Sequence, residues 1–303
     1  MREQDYRRLL DERAWQPERV AEMAAARRRR PLRGGRDQLL IIAADHPARG
    51  ALGATGQPMA MRSRVDLLDR LMTALARPGV DGLLATPDIV EDLLLLGALD
   101  DKIVIGSMNR GGLYGSVFEF DDRFTAYDAE SIAAMGFDGG KMLCRIALED
   151  SATAATLAHC GQAVTELARH GLMAMVEPFW SSRQEGVVRH DLSPEAVIRA
   201  ISVGQGLGAT SARTWLKIPV VPDMERVMES TTLPVMLLGG DAANASDEMY
   251  DSWSKALKLP GVRGLVVGRA LLYPPDGDVG AAVDTALSLL AGNVPDLAQG
   301  GAV

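Results

Sequence analysis

The chain has 303 residues, 47% hydrophobic and 24% charged, with a formal net charge of −8 at pH 7. That length accommodates one large domain or two ordinary ones with a full core, and the acidic balance argues against a general nucleic-acid binder, which shows a basic excess. Two cysteines, Cys144 and Cys160, exclude a disulfide scaffold and suit a reducing compartment, and no apolar run approaches the ~18 residues of a membrane span.

The N-terminal stretch "MREQDYRRLLDERAWQPERVAEM" mixes arginine with acid and lacks an apolar h-region. It reads as neither a secretory signal nor a transit peptide, and a cytoplasmic protein is expected. "AAARRRRPLRGGRD" reads as arginines at a helix C-terminus, stopped by Pro31 and the Gly34-Gly35 pair, in preference to a nucleic-acid patch. Short apolar runs then alternate with helix-period segments. The runs are "QLLIIAADH", "GVDGLLATP", "KIVIGSM", "GGKMLCRIA", "GLMAMVEPF", "RTWLKIPVV", "LPVMLLGG" and "VRGLVVGRA". Several are apolar at nearly every position, as parallel strands covered on both faces are. The segments between them include "SRVDLLDRLMTALARPG", "SATAATLAHCGQAVTELARHG" and "SPEAVIRAISVGQG". The last opens on Ser193-Pro194, an N-cap followed by proline at the first helical position.

Eight such strands predict an α/β protein, a (β/α)8 TIM barrel over 38–290, with an N-terminal helical extension (1–37) and a flexible tail (291–303). A doubly wound open sheet is the rival. Gly204, Gly206 and Gly208 do not favour it, because they close a helix and lead into a strand, the reverse of a pyrophosphate-binding turn.

A barrel places its active site at the C-terminal ends of the strands. Asp45 ends the first predicted strand, Glu177 the fifth, with Pro178 closing it, and Lys217 lies near the end of the sixth. Lys141 lies nearer the start of the fourth, so its stem must reach upward. Alternation puts Arg213, Trp215 and Lys217 on one face, and Lys141, Leu143 and Arg145 on one face. Two lysines and two carboxylates converging there are either a buried ion-pair network or a catalytic site. As a site, a desolvated lysine beside a second cation is held neutral, attacks a carbonyl and forms a Schiff base, while a carboxylate moves protons.

Glycines after the seventh and eighth strands (Gly239, Gly240, Gly268) and Arg269 suggest a phosphate site. His46 follows Asp45; it either assists at the substrate or orients the loop, and alternation points it away from Asp45. Arg145, inward and nearer the mouth than Lys141, is the best candidate for a second anion contact, with Arg183 and Arg189 as candidates in the following loop. Trp180 and Tyr273 either line the pocket or pack. His159, His170 and His190 show no metal-ligand spacing, so no metal is expected.

"AADHPARG", "KMLCRI", "VEPFW", "WLKIPV", "LLGG" and "VVGRAL" together resemble class I aldolases over about residues 38–275. The nearest likeness is to the tagatose-1,6-bisphosphate aldolase group, within the barrel superfamily of archaeal-type fructose-bisphosphate and deoxyribose-phosphate aldolases. The resemblance implies a cofactor-free lyase, with Lys217 as Schiff-base former and Glu177, Lys141 and Asp45 around it. It also implies phosphate contacts from Gly239, Gly240, Gly268 and Arg269, and release of dihydroxyacetone phosphate. The substrate implied is a small phosphorylated sugar or keto acid. The inositol-breakdown compound 6-phospho-5-dehydro-2-deoxygluconate is preferred over tagatose, fructose or sulfofructose phosphates. A Schiff-base transferase and a non-catalytic sugar-phosphate-binding barrel are the other readings. "ADHPARG" and "MNRGGLYGS" depart from the family pattern. A homo-oligomer is expected, with the N-terminal segment placed to pack between subunits.

Overall fold

The computed structural model describes residues 1–34, 36–239 and 247–292. The apolar runs form strands because every residue in them finds a covered face. β1 (Leu39–Ala43), β2 (Gly82–Ala85), β3 (Ile103–Ser107) and β4 (Gly139–Ile146) are buried throughout. β5 (Met173–Gln184), β7 (Thr214–Pro219), β8 (Val235–Leu238) and β9 (Val262–Val267) complete a parallel ring in the order β4-β3-β2-β1-β9-β8-β7-β5. Pairing of β4 with β5, from Gly139 opposite Met173 to Ile146 opposite Trp180, closes it. The closed eight-strand barrel is the fold expected from the sequence.

Period-2 alternation divides the core in two. Leu39, Ile41, Ala43, Ile105, Met175 and Met236 fill the inside of the ring, with Trp215 packed on them. Leu40, Ile42, Leu83, Val104 and Leu216 face outward to the helices. Those helices are α3 (Arg64–Leu75), α4 (Pro87–Leu95), α5 (Ala129–Ala134), α6 (Ala152–Arg169), α7 (Pro194–Gly204), α8 (Met224–Met228), α9 (Asp247–Ala256) and α11 (Val279–Leu290), with a short α10 (Arg269–Leu272) directly after β9. Their starts are locally encoded. Ser63 accepts from Asp66 N, Ser193 from Ala196 N, and Asp128 forms a capping box with Ser131. No helix among the described residues is long and apolar enough to cross a membrane.

Two expectations are corrected. The fifth strand does not stop at Pro178. It runs on to Gln184, turns at Glu185 and Gly186 (φ 51° and 82°), and returns as β6 (Val187–His190), an antiparallel hairpin above the barrel mouth. The proline is tolerated because β7 pairs with β5 only as far as Val176, so beyond it β5 has a free edge that needs no donor. The arginine run is not a helix end either. After α1 (Glu3–Trp15), α2 (Arg19–Ala26) stops before it. The arginines cross the bottom of the barrel and bind groups at the strand starts. Arg27 donates to Lys102 O (2.6 Å) and Gly136 O (2.9 Å), Arg28 pairs with Asp100 and Asp101, and Arg30 pairs with Asp81 at 2.7 Å. Leu32, between them, packs against the interior cluster. The N-terminal helices lie on the chain's own α4, where Arg13 pairs with Glu91 and Asp92. The proposed tail, 291–303, lies from residue 293 onward outside the described residues.

Closure between β9 and β1 depends on Gly264. Its φ is +127°, and a Cβ there would stand 2.0 Å from Leu39 O. Gly264→Ala is therefore expected to lower the unfolding free energy by about 3 kcal/mol, from backbone strain and overpacking together. Gly50 has φ +76° and open space around it, so Gly50→Ala should cost only about 1 kcal/mol. Urea denaturation of the two variants measures the difference.

Candidate active site

Alternation continues past the apolar layer to the C-terminal ends of the strands, where the interior turns polar. Asp45 continues the inward series Leu39, Ile41, Ala43, and Glu177 continues Met173, Met175. Lys141, Glu177 and Lys217 thus project from β4, β5 and β7, three consecutive strands of the ring. Glu177 bridges the lysines: its Oε1 accepts from Lys217 Nζ at 2.8 Å and its Oε2 pairs with Lys141 Nζ. Lys141 Nζ also donates to Asp45 Oδ2 at 3.2 Å, reaching upward from its lower position as anticipated. Asp45 Oδ2 further accepts from Ser107 Oγ (3.1 Å) and pairs with Arg110 Nη2. Asp45 Oδ1, by contrast, accepts no hydrogen bond among the described residues. The four predicted side chains are buried together: Asp45 and Lys141 fully, Lys217 at 3% and Glu177 at 7% exposure.

Burial is the chief electrostatic fact here. It lowers the pKa of Lys217, with Arg110 and Arg269 adding to the depression and Glu177 opposing it. It lowers that of Lys141 well below the ordinary value, assisted by Arg110 and Lys217. Burial alone would raise the Glu177 carboxyl, but Lys141, Lys217 and Arg110 together outweigh it and hold it well below the usual carboxylate range. The Arg110 guanidinium is itself lowered by burial to about 10 and keeps its proton at neutral pH.

The remaining sequence candidates divide. His46 does not point away from Asp45. Beyond Asp45 the backbone turns helical (His46 φ −64°, ψ −40°), alternation ends there, and His46 Nδ1 stands 3.8 Å from Asp45 Oδ1. Burial, then the charges of Arg269 and Lys217, push its pKa well below the ordinary value, so it is neutral. Arg269 follows Gly268 at the end of β9 and acts on both Lys217 and His46. Gly239 and Gly268 each have a packing reason to lack a side chain: a Cβ would meet Val267 Cγ1 at 2.4 Å and Ala43 O at 2.3 Å, respectively. Gly240 lies outside the described residues. Trp180 faces outward, packs on the helix-side core, and stacks under Arg199 of α7 at 5.9 Å. Arg183 bonds Gly186 O within the β5–β6 hairpin and ties the hairpin to the loop after β3 through Val117 O, and Arg189 sits opposite Ser182 in that hairpin. Tyr273 is buried under Arg70, 4.5 Å from its ring. Among the described residues, no three His, Cys, Asp or Glu side chains are gathered in a way that could hold a metal ion.

Arg145 is inward and fully buried, but its bonds go to its own protein. It pairs with Asp122 at 2.6 Å and Glu119 at 3.3 Å and donates to Gly112 O. It clamps the long loop after β3. Asn109 pins the same loop from the other side, bonding Leu143 N (2.7 Å), Leu143 O (2.6 Å) and Asp122 O (3.2 Å). Ser107, Asn109 and Arg110 are site residues that sequence reasoning missed. Parity along β3 could have found Ser107, whereas Arg110 sits in a loop with no periodicity to read. Arg145→Ala leaves Asp122 buried without its cation and Glu119 with Arg49 alone, and is expected to cost about 3–5 kcal/mol, measured by chemical denaturation.

A comparison with curated protein sequences finds no match. An archaeal fructose 1,6-bisphosphate aldolase superposes with a TM-score of 0.62 at 17% identity, over 90% of this chain and 100% of that one. Fructose-bisphosphate aldolase from Slackia heliotrinireducens superposes with a TM-score of 0.58 at 14% identity, over 100% and 94%. At these identities the likeness is one of fold. The crystal structure of Cgl0159 from Corynebacterium glutamicum is far more similar, with a TM-score of 0.94 and 53% identity over 96% of this chain and 98% of that one. Residues 37–287 match the Cgl0159-like family, and the chain belongs to that family.

Proposed function

We propose that the protein is a class I aldolase, a lyase that makes or breaks a C–C bond through a Schiff base on Lys217. The observation that carries this reading is Glu177 held between Lys217 and Lys141 inside the barrel mouth. The fold of Schiff-base-forming fructose-1,6-bisphosphate aldolase, matched here at a TM-score of 0.62, agrees with it.

The charges decide which lysine reacts. Lys141, Lys217 and Arg110 bring three positive charges to two carboxylates, so neutralising one lysine balances the cluster. Burial depresses Lys141 further than Lys217, but Lys141 is the counter-ion shared by both carboxylates and is fully closed off, whereas Lys217 has one carboxylate partner and is the lysine that keeps some exposure, at 3%. The neutral Lys217 amine attacks the substrate ketone to give a carbinolamine. Glu177, in contact with that nitrogen, relays the protons by which water leaves and the iminium forms. Asp45, with Oδ1 unengaged, takes the proton from the hydroxyl beyond the scissile bond. The C–C electron pair flows to the iminium nitrogen, an aldehyde departs, and an enamine remains. Protonation at carbon and addition of water then release the ketone and restore the amine. Lys141, in contact with both, orients the two carboxylates.

Gly239, Gly268 and Arg269, at the ends of β8 and β9, are the phosphate contacts in this reading, with His46 beside them. The substrate class is a phosphorylated ketose or keto acid giving dihydroxyacetone phosphate. 6-Phospho-5-dehydro-2-deoxygluconate heads the compounds to screen, ahead of tagatose, fructose and sulfofructose phosphates.

Borohydride reduction in the presence of dihydroxyacetone phosphate, followed by peptide mass spectrometry, tests the reading. A three-carbon phosphate adduct is expected on the peptide carrying Lys217 and none on Lys217→Met, whose cleavage rate should fall by about four orders of magnitude. An adduct on Lys141 would move the nucleophile to β4. A folded wild type that gives no adduct would overturn the reading.

A further inference from the structure

The loop after β3 is held more firmly than a connector needs. Asn109 fixes one side to β4, and Arg145 fixes the other through Glu119 and Asp122, all of them buried. Between those anchors stands Arg110, 5% exposed, which the account so far uses only as a charge. Its Nη2 pairs with Asp45, while its Nε is buried and has no partner among the described residues. A buried guanidinium N–H left unpaired costs free energy unless a ligand satisfies it.

The ring gives that donor an address. Counting around the barrel in either direction, β3 is the fourth strand from β8. Arg110, just past β3, therefore faces the proposed phosphate contacts at β8 and β9 across the mouth, with the reactive lysine on the arc between them. A ketose phosphate whose phosphate lies near Arg269 and whose carbonyl reaches Lys217 extends its far end toward Arg110.

We propose that Arg110 is a specificity-determining residue that binds a carboxylate on the aldehyde half of the substrate, opposite the phosphate. This rests on the aldolase reading and narrows its substrate class. A carboxylate fits better than a second phosphate. One guanidinium edge already shared with Asp45 matches a planar monoanion, whereas a dianion would meet twice the repulsion from Asp45 and Glu177.

The test is condensation of dihydroxyacetone phosphate with three acceptors: succinic semialdehyde, butanal of the same chain length, and glyceraldehyde 3-phosphate. In wild type, kcat/KM for succinic semialdehyde should exceed that for butanal by at least about 30-fold, the scale of a desolvated charge pair. That ratio should collapse toward one in Arg110→Gln, with partial recovery in Arg110→Lys. A wild-type preference for butanal or glyceraldehyde 3-phosphate overturns the proposal. So does an Arg110→Gln variant that slows both acceptors equally, since that is the signature of a residue that only tunes Lys217. Calorimetric titration with succinate separates the two claims. If no condensation occurs but wild type binds succinate and Arg110→Gln does not, the carboxylate site stands and the aldolase reading falls. If wild type does not bind succinate, the carboxylate site falls whatever the turnover.

Discussion

One carboxylate between two buried ammonium groups is the interaction on which the rest of the site depends. Without Glu177, Lys217 would lose its carboxylate partner and Lys141 one of its two, and burial would drive both lysines further toward their neutral forms. With it, each lysine has a carboxylate partner, while burial still lowers its pKa below the ordinary value. The barrel makes this geometry possible because closure sets β4, β5 and β7 side by side. Lys141, Glu177 and Lys217 then meet though they are far apart in the chain.

Holding that cluster requires support from groups that do no chemistry. Ser107, Lys141 and Arg110 all address one oxygen of Asp45 and leave the other unengaged, so the carboxylate is oriented and one face of it is available. Arg145 and Asn109 rigidify the loop that delivers Arg110. At the opposite end of the barrel a second charge lattice, Arg27 to Arg30 with Asp81, Asp100, Asp101 and Asp138, fastens the N-terminal extension across the strand starts. The two lattices do different work: the lower one ties chain segments together, and the upper one holds titratable groups where water is scarce.

Much of this was legible in the sequence, for identifiable reasons. Strands buried on both faces announce themselves as unbroken apolar runs; position at a strand end picked out Asp45 and Glu177, and period-2 parity grouped Lys217 with Trp215 and Lys141 with Arg145. Parity failed where the backbone turns helical, as at His46, and where a residue lies in a loop, as at Arg110. Pro178 misled because its tolerance depends on β5 lacking a neighbour beyond Val176. The arginine run misled because its partners, Asp81, Asp100, Asp101 and Asp138, are distant in sequence and only the fold shows them. Arg145 was rightly placed inward, yet no local pattern reveals that Glu119 and Asp122 meet it there.

The central claim is that burial keeps Lys217 available as a neutral amine. Titration of lysine side chains labelled with ¹³C at Cε, followed by NMR with Lys217→Met for assignment, tests it directly. Because the group's pKa is depressed, its amine fraction should grow with pH well before the ordinary 10.5 is reached. The account predicts a Lys217 resonance with a midpoint clearly below that value. A midpoint at or above 10.5 would mean that Lys217 is a charged partner in an ion-pair network, and the catalytic account would be wrong.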